Sequence, residues 1–512
     1  VEAHLVRVEA DVAGGFPRFV MVGLPDSAVK ESEARIRAAL RNCGFAFKWD
    51  RRITVNLAPA SLRKSGSSYD LATAVGLLTA DGTVVSPRSA RALLVGELAL
   101  DGAVRPVSGV LPMLVLARRR GLERAIVPAA NHAEAALVPD LPVHPVASLA
   151  EALEVLTAEE PPSPPRPPAS PRPGAAVPDL ADVRGQPLAR RALEIAAAGG
   201  HNLLMVGPPG SGKTMLARRL PGILPPLSPD EALEVAAIHS TIGPPRGASP
   251  GSRPFRSPHH TVSDVALAGG GPIPRAGEVS LAHHGVLFLD ELPEFRRHAL
   301  EVLRQPLEEG RITISRIRGT LELPARFQLV GAMNPCPCGQ LGAATQGCRC
   351  TDREARAYLA RLSGPLLDRI DLHVEVPALA WSELSGPPSE PSDRVAARVT
   401  AARRRQQARR AHTGAPTNAT LPSPSLRQVT RLPGEGQALL AEAVDRLGLT
   451  ARGLDRLLRL ARTLADLADR EEVATRDLAE ALHFRRTAAP GWPESRPAQA
   501  LNPCLTGVTG TC

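Results

Sequence analysis

The sequence lacks any run near the ~20 consecutive apolar residues that a membrane-spanning helix requires. No charged-then-apolar segment opens it either, so a soluble cytoplasmic protein with no membrane partner is expected. Cysteine is scarce, seven in 512 residues, and four of the seven crowd into residues 336–350. That pattern argues for a metal site or reduced thiols more than for a secreted disulfide framework. Acidic residues are outnumbered, 52 against 61 basic ones, for a net charge of +9 and a pI near 9.7. Such a surface attracts polyanions, nucleic acid first among them, although an arginine-rich composition full of Ala and Pro would give the same balance. An initiating methionine is also missing. The chain begins Val1-Glu2-Ala3-His4-Leu5 in a strand-like pattern, so an N-terminal piece is expected to precede it. The length is too great for one ordinary core, and two or three domains are expected.

What is present is organised around Gly207-Pro208-Pro209-Gly210-Ser211-Gly212-Lys213-Thr214, which follows the apolar run Leu203-Leu204-Met205-Val206. Every fixed position of G-x-x-x-x-G-K-[ST] is filled, between a predicted strand and a predicted helix. The glycines let the backbone curl so that its N–H groups face a triphosphate. Lys213 can then reach the β- and γ-phosphates, and Thr214 can ligate Mg²⁺. A second apolar run, Val286-Leu287-Phe288-Leu289, ends in Asp290-Glu291 and reads as a buried parallel strand. Asp290 is placed to hold Mg²⁺ and Glu291 to polarise water. A nucleoside triphosphatase that takes Mg²⁺ as cofactor is therefore expected.

Ahead of this core, residues 1–157 alternate short β-rich runs (18–22, 52–57, 92–97, 125–127) with helical stretches (27–42, 69–78, 110–120), a compact α+β domain. Lys64-Ser65-Gly66-Ser67-Ser68-Tyr69-Asp70 resembles the segment carrying the nucleophilic serine of the Lon-type protease domain, a fold of the ribosomal S5 domain 2 kind, and Ser68 falls at the serine. A serine hydroxyl needs a neighbouring base. Residues 102–120 resemble the segment that supplies a lysine there, yet the matching position is Leu111. The domain is expected to be catalytically inactive and to serve assembly or DNA guidance.

Nine prolines from Pro161 to Pro178 make residues 158–178 a semi-rigid linker. Beyond it, residues 182–186 look like the adenine-side segment of AAA+ ATPases. Residues 253–284 are glycine-rich and hold His259, His260, His283 and His284, for which structural or DNA-facing roles are expected over metal binding. Residues 294–307 read as an amphipathic helix. Residues 311–327 read as a hairpin with Arg316 and Arg318 near its tip, a phosphate-gripping element or a solvated turn. The strand 328–333 ends at Asn334, the sensor 1 position of the AAA+ family, where an amide can orient water. Cys336, Cys338, Cys348 and Cys350 follow in two close pairs, suited to a structural Zn²⁺ or to four reduced thiols. In Leu366-Leu367-Asp368-Arg369, Arg369 takes the place of an arginine that reaches a neighbouring subunit's nucleotide. The basic stretch 394–410 suits a linker helix or a DNA-facing one. Residues 450–460 resemble a sensor 2 helix with Arg452 at the γ-phosphate position, inside a C-terminal helical segment. The tail after Arg486 is expected to be disordered.

The order of these parts resembles the ComM/YifB family of magnesium chelatase-like ATPases, and the Asn334–Gly339, Cys348–Cys350 and Gly364–Asp371 stretches carry that likeness most specifically. Residues 488–512 are the expected tail; the resemblance, which extends to about residue 487, implies ATP as the nucleotide, an AAA+ core over 179–378 and a basic helix and helical lid over 379–487. It also implies a homo-hexameric ATPase, a DNA helicase or translocase, that drives branch migration of single-stranded or branched DNA in natural transformation and recombination. The chelatase motor itself, which remodels a protein partner, is the alternative.

Overall fold

The computed structural model describes residues 3–85, 89–158, 163, 177–243, 251–271, 275–316, 319–341 and 347–486. Most of the expected linker, the expected tail and Arg318 lie outside the described residues. The chain divides into two compact units, Val1–Ala175 with Ser228–Ser252, and Ala176–Leu227 with Arg253–Cys512. No described helix is long and apolar enough to cross a membrane.

The first unit holds two three-stranded sheets. In one, β1 (Arg7–Ala13) runs antiparallel and β2 (Arg18–Val22) parallel to the central β3 (Arg52–Ala58). Alternate residues of β3, Ile53, Val55 and Leu57, are buried, as the two-residue period of a half-covered strand requires. The helices Ser32–Asn42 and Asp70–Ala80 cover that face with Ile36, Leu40, Leu71 and Leu78. They are tied together by the Arg35–Asp70 pair, with two hydrogen bonds of 2.7 and 3.1 Å. The second sheet is parallel throughout, β4 (Ala92–Leu94), β5 (Arg124–Pro128) and β6 (Val143–Val146), with β5 in the middle and buried from Ala125 to Pro128.

Residues 228–252, expected inside the 179–378 core, cluster with this unit instead. Ser228 and Glu231 form a capping box that starts the helix Pro229–Ser240. Leu233, Ala236 and Ala237 pack beside the apolar cluster that includes Leu111 and Leu114 on the helix Val110–Arg119. At its end the Ser240 carbonyl accepts the Gly109 N–H at 2.8 Å, and Ser240 Oγ accepts the Leu111 N–H at 3.3 Å.

The second unit is built on a five-stranded parallel sheet. Its strands are β7 (Leu203–Val206), β8 (Phe255–Arg256), β9 (Val286–Leu289), β12 (Gln328–Met333) and β13 (Leu372–Glu375), in the order β8-β9-β12-β7-β13. β7, β9 and β12 are buried along their whole length, which is why they read as unbroken apolar runs. Between β9 and β12 stands the hairpin β10 (Arg311–Arg316) and β11 (Gly319–Pro324), in register from Arg311↔Pro324 to Arg316↔Gly319. The helical stretch expected over 294–307 is two short helices, Arg297–Val302 and Arg304–Glu309.

Beyond β13 the described structure is helical. The helix Ser392–Thr413 turns three of its arginines into the unit, Arg398 on Glu194 and Glu390, Arg403 on the Ala197 carbonyl and Arg409 on Asp466, while Arg394, Arg404 and Arg410 are exposed. The helix Ala451–Leu467 buries Leu457, Leu460, Ala461 and Leu464 on one stripe. On the same helix Arg462 and Asp466 are both buried and paired at 3.0 Å.

Candidate nucleotide site and cysteine cluster

Parallel strands send the loops after β7, β9 and β12 to the same end of the sheet, which brings three distant sequence segments together. Gly207 turns out of β7 in a place no side chain can occupy, since a Cβ there would lie 2.0 Å from the Val376 carbonyl oxygen. Gly212, with φ of +92°, takes the left-handed backbone that delivers the chain into the helix Lys213–Ala217. Lys213 is buried. Its Nζ donates to the carbonyls of Gly207 (2.7 Å) and Pro208 (2.8 Å) and lies 3.3 Å from Asn334 Oδ1. Burial pushes its ammonium below the ordinary lysine range, and the Asp290 carboxylate opposes the shift.

Thr214 Oγ1 donates to Asp290 Oδ2 at 2.6 Å. These are two adjacent hard oxygen donors, of the kind Mg²⁺ takes from protein beside a polyphosphate. Glu291 adopts the left-handed backbone, φ +51°, and its exposed carboxylate stands 3.1 Å from His260 Nδ1. The expected residues Lys213, Thr214, Asp290 and Asn334 are thus linked by direct contacts, with Glu291 adjoining. Arg219 secures the base of the loop by donating to Asp182 Oδ2 (3.0 Å) and to the Asp179 carbonyl (2.6 Å), which ties the 182–186 segment to it.

Residues 334–339 complete the site. The Gly339 N–H donates to the Cys336 carbonyl at 2.9 Å, and a Cβ at Gly339 would lie 2.6 Å from Pro209 Cδ, so this turn rests on the phosphate loop. The Cys336 and Cys338 sulfurs are 3.4 Å apart and each is 3.6 Å from Cys348 Sγ. All four sulfurs, with Cys350, fall within 4.8 Å of one another, a cluster that could hold a metal ion. Hydrogen bonds from the Gln340 and Arg349 backbones lower the Cys338 thiol to about 6. Cys350 is pushed up to about 12 by desolvation and the Cys338 and Cys336 thiols, against the hydrogen bond from the Cys338 backbone. Tyr358, buried on the helix Asp352–Leu359, is raised to about 12 by burial and by the nearby Glu294 carboxylate, and it bonds the Asn334 backbone.

Other expected residues stand apart from this convergence. Arg369 pairs with Glu308 and with the Pro365 carbonyl. Arg452 is exposed in the first turn of its helix and makes no hydrogen bond or ion pair among the described residues, whereas Arg456, one turn on, faces Asp368 at 3.6 Å. Arg318 and the side chain of Arg316 lie outside the described residues. Sequence reasoning gave His260 a structural or DNA-facing role without placing it beside Glu291, and it did not single out Tyr358. The adjacent histidines of residues 253–284 were the only signal for the first, and a lone tyrosine on a helix gave none for the second. His283 is buried, its Nδ1 accepting the Arg326 N–H at 3.0 Å. In the first unit Ser68 is half-buried and Leu111 fully buried.

Three family models match in sequence order: "Subunit ChlI of Mg-chelatase" over residues 8–131, "Magnesium chelatase, subunit ChlI" over 179–384 and "Magnesium chelatase, subunit ChlI C-terminal" over 389–485. The uncharacterized protein YifB of Escherichia coli is 44% identical over 493 residues, 95% of each chain. Competence protein ComM of Haemophilus influenzae is 42% identical over 492 residues, again 95% of each. Over 181 residues, a third of this chain and 22% of the other, it is 31% identical to Lon protease 1 of Thermus thermophilus. With both full-length relatives matched almost end to end, and the three chelatase segments in order around a phosphate loop, the chain belongs to the ComM/YifB family of magnesium chelatase-like AAA+ ATPases.

Proposed function

We propose that this chain is an ATP-driven motor that acts on DNA as a homo-hexamer, with branch migration during natural transformation and recombination as its work. The observation that carries the ATPase half is the contact set Lys213–Asn334 and Thr214–Asp290 beside Glu291, at the end of one parallel sheet. The DNA half is supported by the ComM relative, whose name is that of a competence protein, and by the net charge of +9.

The phosphates of ATP bind against the backbone N–H groups of residues 207–214, and Lys213 turns from the loop carbonyls onto them. Thr214 and Asp290 hold Mg²⁺, which supplies charge neutralisation on the phosphates when bound. The Glu291 carboxylate accepts the proton of the attacking water, and Asn334 orients that water. Arg369 acts in trans on the neighbouring subunit's nucleotide. Arg452, from a helical lid over residues 379–487, contacts the γ-phosphate in cis. The hairpin, with Arg316 and Arg318, grips the DNA backbone. The N-terminal unit guides DNA or assembly and performs no proteolysis, because Leu111 stands where a Lon-type lysine would act as base. The four clustered cysteines hold a structural Zn²⁺.

Steady-state ATP hydrolysis with and without single-stranded and branched DNA, at two salt concentrations, tests the reading, with Glu291→Gln as the blank. Salt-sensitive stimulation by DNA is expected. Robust hydrolysis indifferent to DNA would replace it with a chelatase-like, protein-remodelling role.

A further inference from the structure

The loop that carries Asn334 has two supports besides its own strand. On one side Gly339, at φ +77°, rests on Pro209 so closely that a Cβ would lie 2.6 Å from that ring and 3.7 Å from Asn334 Cγ. On the other, Tyr358 returns to the Asn334 backbone from the helix Asp352–Leu359, which begins directly after Cys350 at a Thr351–Glu354 capping box. The cysteines join these two supports. Cys336 and Cys338 lie between Asn334 and Gly339, and Cys348 and Cys350 lie at the foot of the Tyr358 helix.

Four thiolates bound about 2.3 Å from a tetrahedral Zn²⁺ stand about 3.8 Å from one another. The observed separations of 3.4, 3.6 and 3.6 Å fall a few tenths short of that, and far outside the roughly 2.05 Å of a disulfide. Cys336 and Cys338 achieve this despite a single intervening residue because the chain turns there, the Gly339 N–H closing on the Cys336 carbonyl. An all-sulfur tetrahedral set selects soft or borderline metals, Zn²⁺ foremost in the absence of redox demand.

Resting on the nucleotide reading above, we propose that Cys336, Cys338, Cys348 and Cys350 bind one Zn²⁺ per chain, and that this metal knot positions Asn334 and Gly339 against the phosphate loop so that hydrolysis depends on zinc occupancy. The four cysteines are positioning residues in this scheme, acting through Asn334, and the zinc never meets the nucleotide.

The test starts from the full chain purified without chelator. Elemental analysis is expected to find about one zinc per chain, and Co²⁺ exchanged into the site to give the intense thiolate-to-cobalt absorption of a tetrahedral centre. The double variant Cys338→Ser, Cys348→Ser is expected to lose the zinc, to bind ATP within about threefold of the parent, and to turn it over about 10²-fold more slowly, the scale of a small misplacement of reacting groups. If that variant does not fold, Gly339→Ala serves instead. It keeps all four thiols and should retain zinc while turnover falls. Less than about 0.1 zinc per chain, or iron in its place, overturns the site. A zinc-free variant that hydrolyses ATP at the parental rate overturns the coupling. A parent chain that holds zinc but hydrolyses no ATP establishes the site and removes both the nucleotide reading and the coupling.

Discussion

Replacing Glu291 by Gln isolates the chemical step from everything else the site does. The side chain is more than half exposed and, among the described residues, pairs with His260 at 3.1 Å. The amide keeps size and hydrogen-bonding capacity, so stability should move by no more than about 0.5 kcal/mol. Lys213, Thr214 and Asp290 are untouched, and ATP affinity should stay within about threefold. What disappears is the proton acceptor. A positioned general base contributes roughly 10² to 10⁴ in rate, which at about 1.4 kcal/mol per decade is about 3 to 5 kcal/mol of barrier. Phosphate release under saturating ATP should therefore fall by two to four decades, read beside equilibrium binding of a fluorescent nucleotide and a thermal melt. Turnover within about threefold of the parent, with binding intact, would remove Glu291 from its role. A parallel loss of binding would mean that the carboxylate shapes the loop instead.

Three further outcomes are expected. Asp70→Ala strands the Arg35 guanidinium of a buried pair and should cost the first unit about 3 to 5 kcal/mol in a denaturant titration; a loss below about 1 kcal/mol would mean that the pair is no more than a surface contact. His373 is driven down to about 3 by burial and by the Arg485 and Arg456 guanidiniums. Because that folded value lies below the unfolded one of ~6.5, its contribution is present above pH ~6.5 and is lost as pH falls, about 2 kcal/mol by pH 5; His373→Gln should flatten the acid limb of stability against pH, and an unchanged limb would assign the acid sensitivity elsewhere. Arg316→Ala with Arg318→Ala should spare basal hydrolysis, weaken DNA binding and reduce the salt slope by about 2; an unchanged slope rejects the hairpin as a phosphate contact.

The phosphate loop and the Asp290–Glu291 pair were legible because their chemistry is local: a few consecutive residues must bend, donate and coordinate, and each requirement restricts the residue type. The strands β7, β9 and β12 were legible because burial on both faces leaves only apolar residues. Where structure depends on distant partners, sequence reasoning lost resolution. The expected strand 92–97 splits into Ala92–Leu94 and Glu97–Leu98, because Gly96 leaves the sheet to exchange backbone hydrogen bonds with Ser68 and Leu71. The helix expected over 27–42 breaks at Glu31, with Asp26 capping a first short turn. The placement of 228–252 with the first unit follows from Ala236, Ala237 and Ser240 meeting the helix Val110–Arg119, a contact that no local pattern announces. The basic stretch 394–410 read as a linker helix or a DNA-facing one, yet Arg398 is held by Glu194 and Glu390 and Arg409 by Asp466, acids that lie far away in sequence or across a turn.

The position of Arg369 bears on why a single chain would make an incomplete catalyst. Asn202, just before β7, donates through its side chain to the Arg369 carbonyl at 2.8 Å and through its backbone N–H to Asp371 at 3.1 Å. Gly207 begins the phosphate loop at the other end of the same strand. Five residues at about 3.3 Å each put roughly 17 Å between those ends, more than one arginine side chain spans. The Arg369 guanidinium is moreover engaged locally by Glu308 and Pro365. Arg369 is therefore unsuited to its own chain's loop, and a role in hydrolysis requires a second subunit whose nucleotide meets this face. Glu308 is mostly exposed but the Arg369 side chain is mostly covered, so assembly must draw the guanidinium off Glu308 before a neighbour's triphosphate can offer it several negative oxygens. A pairing that only an interface replaces is what would make hydrolysis conditional on assembly.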